Sequence, residues 1–299
     1  MPAIRQVAIC GVGLIGASFG LALRRDGFEG RIAGSSRRTV TLAEAKRRGA
    51  IDEGFPTAEE AADGSDLILL CAPVPVNVDL LKRVAQRLKP GAIITDVGST
   101  KQTMVAAARE IFGRDWNRFF LPGHPMAGKE SSGPANAEAS LFAGATWLFT
   151  PEADAKGKLP SEEELFNTPV LNEFHRMLQR MGARILLEDP ATHDHVLAYV
   201  SHLPQLLSTA LAATVMDAIG DEKKVGRLMG GGLRGMLRLA ASDPAMWAGV
   251  AQTNRANIAE ALEGMENELR RLRLSLGDES FRAEFERARS FRPESREKH

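Results

Sequence analysis

Residues 6–25 read QVAICGVGLIGASFGLALRR, and the order of events in this stretch decides the fold. A short apolar run, VAIC, has the length of a buried strand. It is followed at once by Gly11, Gly13 and Gly16 in the spacing G-x-G-x-x-G, and the last glycine lies inside a helical pattern, LIGASFGLALRR. The first glycine permits a tight turn, the second lets backbone approach a pyrophosphate, and the third lets the helix pack close to the strand. The N–H groups at the start of such a helix hold phosphates. The stretch therefore predicts a dinucleotide-binding βα unit, with Leu14 and Ile15 at the helix start in the same site; a glycine-rich turn without a ligand is the alternative.

The next strand, RIAG (31–34), would end in Asp or Glu if it read the ribose hydroxyls of NAD. Ser35, Ser36, Arg37 and Arg38 follow it instead. A carboxylate repels a 2′-phosphate, whereas a hydroxyl and a guanidinium bond it, so the sequence predicts NADP with NAD as the alternative. A solvated helix start would also explain the two arginines.

Outward from this unit, apolar runs predict strands at 6–10, 31–34, 66–71, 92–97, 119–122, 146–150 and 183–187, alternating with helical patterns such as 14–25, 41–48, 76–88 and 170–181. Alternation of this kind is the signature of a parallel sheet covered by helices on both faces. Pro73, just beyond DLILLC, belongs to the expected cofactor site. After Asp189-Pro190 strand-like runs cease, and 191–219 is apolar all round, which predicts helices buried on more than one side. The expectation is thus an α/β chain: a Rossmann-type dinucleotide-binding domain over 1–188, then an all-helical domain over 189–299 that completes its core as a homodimer. The tail from Arg270 is dense in charge and reads as a surface helix that frays.

Composition narrows the partners. The 299 residues are 44% hydrophobic and 25% charged, with formal net charge zero, so nothing favours nucleic acid or anionic lipid as a general partner. No run of 18 apolar residues and no signal-like N-terminus is evident, which predicts a cytoplasmic protein without a membrane span. Cys10 and Cys71 each close an apolar run and read as buried thiols, and no ligand cluster with metal spacing is present.

Two further segments sit at the carboxyl ends of predicted strands, where open α/β sheets place their ligands: DVGSTK (96–101) and GHPMAGKE (123–130). His124, between Gly and Pro on a loop, is a candidate general base because an imidazole titrates near neutrality; a plain loop histidine is the other reading.

The segments GVGLIGASFGLAL, DVGSTK, GHPMAGKE, HDHVLAYVSHLPQ and GGGLRGMLRLAASDPAMW, in this order, resemble the prephenate/arogenate dehydrogenase family over nearly the whole chain. The first occurs in many dehydrogenases; GHPMAG, SHLP and the arginine segment before SDPxxW are far more specific. The resemblance implies oxidative decarboxylation of prephenate or arogenate on the route to tyrosine, at a cleft between the domains. It implies His124 as the base on the substrate hydroxyl and Ser99 as the residue positioning that hydroxyl and the nicotinamide. It further implies Arg238 as the carboxylate anchor, Trp247 lining the pocket and Glu130 at its entrance; Ser201, His202 and Gln205 are further candidate substrate contacts. Relatives that prefer prephenate carry His where this chain has Gln205, and some carry an acidic residue where it has Gly235. No chorismate mutase or regulatory module is expected.

His193 and His195 lie two residues apart on a helix and point to nearly opposite faces, so neither reads as a metal ligand. His193-Asp194 reads as a capping and helix-contact pair, and His202 faces either the cleft or the core. The rivals to this reading are another two-domain hydroxyacid or imine dehydrogenase, which would use a helical-domain lysine not evident here, and a non-catalytic NAD(P)-sensing regulator.

Overall fold

The computed structural model describes residues 2–129 and 131–291. The six-stranded parallel sheet is built from β1 (Gln6–Cys10), β2 (Arg31–Ser35), β3 (Glu53–Phe55), β4 (Leu67–Leu70), β5 (Ile93–Asp96) and β6 (Phe120–Leu121), in the order 3-2-1-4-5-6. Its central strands β1 and β4 are almost wholly apolar because both of their faces are covered. Val7 and Ile9 of β1, Leu67 and Leu69 of β4 join one core; Ala8, Cys10, Ile68 and Leu70 join the other.

The helices α1 (Leu14–Arg25) and α2 (Thr39–Arg47) cover the first face; α3 (Ala58–Ala62), α4 (Val74–Ala85) and α5 (Gln102–Phe112) cover the second. A second sheet follows: β7 (Gly123–Pro125), antiparallel to β8 (Thr146–Phe149), which pairs in parallel with β9 (Arg184–Leu187). Between β8 and β9 run α6 (Glu162–Leu165) and α7 (Pro169–Arg180). The two sheets are joined on the first face by edge-on aromatic contacts of Phe19, Phe142, Trp147 and Phe174.

From Pro190 onward the described chain is helical: α8 (Pro190–Leu197), a π-type turn at 198–202, α9 (Leu203–Ile219), α10 (Glu222–Leu228), α11 (Gly231–Leu237), α12 (Pro244–Thr253), α13 (Arg255–Leu274) and α14 (Glu279–Ser290). Asp189 starts α8 by accepting the N–H groups of Ala191 and Thr192, and Pro190 costs nothing at the first helical position.

Three expectations change. Gly123–Pro125, read as a loop, is an edge strand, and its proline is tolerated at the strand end. The short exposed strand Glu53–Phe55 and the helix Gln102–Phe112 join the elements foreseen. Burial of α9 on several sides does not occur within one chain: only Leu203, Gln205 and Ser208 of its 17 residues are buried. The local core here is small, centred on Ala198, Leu203, Val250, Ile258 and Ala261. In the tail, α14 is an exposed helix, and residues 292–299 lie outside those described.

Candidate active site

The β1–α1 turn forms a cradle. Gly11 has φ +106°, and a Cβ there would lie 2.9 Å from the Cys71 carbonyl; a Cβ on Gly16 would lie 2.4 Å from the Gly11 carbonyl oxygen. Gly13 instead faces open space, with nothing within 4 Å of an added Cβ, and no side chain caps α1. A backbone turn held open at the bare end of a 12-residue helix fits a dinucleotide pyrophosphate. At the end of β2, Ser35 is buried with its hydroxyl beside the Cys10 thiol. Ser36 is half-buried and Arg37 and Arg38 are exposed.

A cavity of about 500 Å³ opens where the strands of the nucleotide-binding half end against the helical half. Leu14, Ile15 and Pro73 line it from the cradle side, Ser99 and His124 from β5 and β7. The helical half contributes Ser201, His202, Gln205, Arg238 and Trp247. All these residues, far apart in sequence, are brought to one wall or the other. Glu130 lies outside the described residues.

His124 sits at the middle of β7, opposite Leu148 of β8, and is 9% exposed. Its Nδ1 is 3.0 Å from Nε2 of His193, which is fully enclosed; the nitrogen left toward the cavity is Nε2. Burial, reinforced by the neighbouring His193, Lys101 and His202, holds the His124 pKa well below the ordinary 6.5 of histidine. It is therefore a neutral, proton-accepting imidazole at physiological pH.

A buried ion pair positions β7. Lys101 Nζ lies 2.5 Å from Asp96 Oδ2 and donates to the Gly123 carbonyl at 2.7 Å; Asp96 accepts the N–H groups of Gly98 (2.8 Å) and Gly123 (3.1 Å). Both ends of DVGSTK are thereby tied to the residue preceding His124. Burial pushes the Lys101 pKa down, and the Asp96 carboxylate opposes that shift.

On the helical side, Asn254 Nδ2 donates to the Asp194 carbonyl and faces His202 Nδ1 at 3.2 Å. His202 Nδ1 is then the acceptor and Nε2 carries the hydrogen; burial lowers this histidine's pKa to about 4. His202 Nε2 and Trp247 Nε1 are buried donors without a protein partner among the described residues, and both side chains line the cavity edge to face, 5.8 Å between ring centroids. Unmet donors in a cavity wall are costly unless a ligand oxygen takes them up. Gln205, by contrast, is spent within the protein: its amide donates to the Leu239 carbonyl at 2.7 Å and accepts from the Ser242 hydroxyl at 3.0 Å. It holds the segment bearing Arg238 against α9.

Sequence reasoning gave no role to Asp96, Lys101 or Asn254, and gave His193-Asp194 only capping and helix contacts near the start of its own helix. Asp194 does cap a helix, but one in the other half of the molecule, accepting the N–H groups of Lys101 (2.7 Å) and Gln102 (2.9 Å) at the start of α5. The acid and the lysine at the two ends of DVGSTK were the available signal for the ion pair.

Comparison with known proteins agrees with this layout. The family model for the prephenate dehydrogenase nucleotide-binding domain matches residues 19–187, and that for the prephenate dehydrogenase dimerization domain matches 189–287. Prephenate dehydrogenase of Lactococcus lactis is 32% identical over 274 residues, 91% of this chain and 72% of the relative. Cyclohexadienyl dehydrogenase of Zymomonas mobilis is 28% identical over 283 residues, 93% and 91% of the two chains. The crystal structure of prephenate dehydrogenase from Aquifex aeolicus in complex with hydroxyphenyl propionate and NAD+ superposes with a TM-score of 0.80 at 29% identity, covering 95% of this chain and 96% of the other. A nucleotide-binding sheet, a cavity walled by a buried imidazole on one side and an arginine-bearing helical domain on the other, and family models covering both halves lead to one conclusion: the chain belongs to the prephenate dehydrogenase family.

Proposed function

We propose that this enzyme oxidises and decarboxylates a cyclohexadienol, prephenate or its aminated counterpart arogenate, with hydride transfer to NAD(P). The observation that carries the reading is His124: a neutral imidazole whose cavity-side nitrogen stands between the dinucleotide cradle and the helical wall that holds Arg238. A bound dinucleotide would supply the hydride acceptor in its nicotinamide; Gly11, Gly13, Gly16 and the start of α1 would hold its pyrophosphate, and Ser36 and Arg37 would meet the 2′-phosphate of NADP.

The chain's own groups do the remainder. Arg238 binds a substrate carboxylate through its planar guanidinium, which can pair with it bidentately. His202 Nε2–H and Trp247 Nε1–H offer two further donors to substrate oxygen, and Ser99 positions the ring hydroxyl. His124 Nε2 takes the hydroxyl proton as the C4–H bond gives up its electron pair, leaving a ring ketone. The ring carboxylate then leaves as CO₂; its bonding pair restores aromaticity, and the proton returns from His124 to the phenolate oxygen. Since Gln205 is neutral and saturated by Leu239 and Ser242, it distinguishes poorly between an oxo and an amino side chain.

We place the domain division at 188/189 and read the molecule as a cytoplasmic homodimer formed through the helical half. The apolar but largely exposed α9 supports the homodimer, as does the match of 189–287 to a dimerization domain. Other two-domain dehydrogenases, such as the 3-hydroxyisobutyrate dehydrogenase of Salmonella typhimurium at 13% identity and TM-score 0.53, share the fold alone.

The deciding experiment is a steady-state assay of prephenate and arogenate against NAD and NADP, run on the parent and on His124→Asn. Turnover of at least one cyclohexadienol is expected, with an acid limb below pH 6.5, and the variant loses about 10²- to 10⁴-fold in kcat while still binding cofactor. Turnover of neither substrate, or an unimpaired variant, overturns the assignment.

A further inference from the structure

We propose that Asp194 and His193 form a buried positioning pair that fixes the tautomer of His124 and accepts the charge of the proton it takes. The inference rests on His124 being the base.

With a neutral His193 the hydrogen-bond chain admits one assignment. Asp194 accepts two backbone N–H groups at the start of α5, Lys101 N on Oδ1 at 2.7 Å and Gln102 N on Oδ2 at 2.9 Å. A group with two N–H donors already pointed at it, at the positive end of a helix, is a carboxylate. Its remaining contact, 2.8 Å from Oδ1 to His193 Nδ1, therefore takes an N–H from that ring. Neutral His193 then carries its lone pair on Nε2. His124 Nδ1, 3.0 Å away, must donate to it, so the lone pair of His124 lies on Nε2, the nitrogen on the cavity side. All three side chains are buried, His193 and Asp194 fully, so no water competes for these contacts.

The pair also answers where the charge goes. When His124 Nε2 takes the substrate proton, the N–H bond at His124 Nδ1 can break as one forms at His193 Nε2. His124 is left neutral with hydrogen on Nε2, and His193 becomes an imidazolium directly against the Asp194 carboxylate. The other groups facing these rings are Lys101, whose charge is held by Asp96, and His202, which is neutral. Asp194 is thus the anion that offsets a cation formed beside Lys101 in a desolvated site. His193 and Asp194 come from α8, and His124 and the capped α5 from the nucleotide-binding half, so the pair orients the base only when the two halves are docked.

The test uses full-length enzyme labelled with ¹⁵N-histidine, alongside His193→Leu, which removes the acceptor, and His193→Gln, which restores an acceptor oxygen near the Nε2 position. The His124 signals are assigned by their loss in His124→Asn. In the parent, His124 should show a pyrrole-type Nδ1 and a pyridine-type Nε2. His193→Leu should lose on the order of 10- to 100-fold in kcat with KM values for both substrates within about twofold, and His193→Gln should recover most of the loss. The opposite tautomer in the parent, or a His193→Leu enzyme with parental kcat, overturns the proposal. If His193→Leu fails to fold, the parental spectrum and His193→Gln decide; a parental spectrum of opposite tautomer, or His193→Gln impaired as deeply as His124→Asn, overturns it. Parental activity in His124→Asn would bring down the base itself, whereas an inactive His124→Asn with an unimpaired His193→Leu removes only the pair.

Discussion

At the scale of single residues, the end of β2 separates what a motif says from what its side chains do. The run Ser35-Ser36-Arg37 reads as a binding site for a 2′-phosphate, but Ser35 turns its hydroxyl to Cys10. Strand alternation sends Ser35 into one core face, and the chain must leave the sheet before a side chain can reach the ligand. Changing Ser36 to Asp together with Arg37 to Ala should therefore shift the ratio of kcat/KM values from NADP toward NAD by about tenfold or more, since a carboxylate both repels the phosphate and accepts from the ribose hydroxyls. An unchanged ratio would show that the phosphate is read elsewhere. Ser35→Ala, by the same reasoning, should leave the ratio within about twofold.

The element that matters most is β7, and it was the least visible. Glycine and proline on either side of His124 are loop-forming residues in any local reading; the strand exists because β8, some twenty residues later, supplies the partner edge and Asp96 and Lys101 clamp the strand's first residue from β5. The clamp makes a prediction. Lys101→Met leaves the Asp96 charge buried and unpaired, which should cost about 3–5 kcal/mol of stability by denaturant unfolding. Adding Asp96→Asn should recover part of it, because no uncompensated charge then remains; a double variant no more stable than the single would contradict the ion-pair account. Strands β1, β2, β4 and β5 were legible because each carries a short apolar run buried in the sheet. The strand Glu53–Phe55 was not, being three residues long, largely exposed and at the sheet edge.

For the whole molecule, the open question posed by one chain is the surface of the helical half. The helical stretch Pro190–Ile219 is long and apolar enough, by length and composition, to cross a bilayer, and only 28% of that window is buried. Yet its first half carries His193, Asp194, His202 and Gln205, all bonded into the cavity wall, which ties it to the protein interior. Its second half exposes Met216 (63%) and Ile219 (48%), a surface suited to a second copy of the same helix. Met216→Glu with Ile219→Glu should move the sedimenting species from twice the chain mass toward the chain mass, because an interface core does not accommodate unpaired charge. A parent that sediments as a monomer, or a double variant that remains dimeric, would place the contact elsewhere.

The sequence by itself determined the class of fold and the dinucleotide cradle, because these rest on local periodicity and on a short motif whose members act within a few residues of one another, and its resemblance to a known family pointed to the reaction. Only the tertiary structure decided which nitrogen of His124 faces the cavity, that His193 and Asp194 stand behind it, that Gln205 is spent on Leu239 and Ser242, and that Ser35 faces inward. The physical reason is separation: His124 and His193 are 69 positions apart, and a hydrogen bond between them depends on how two independently patterned halves dock.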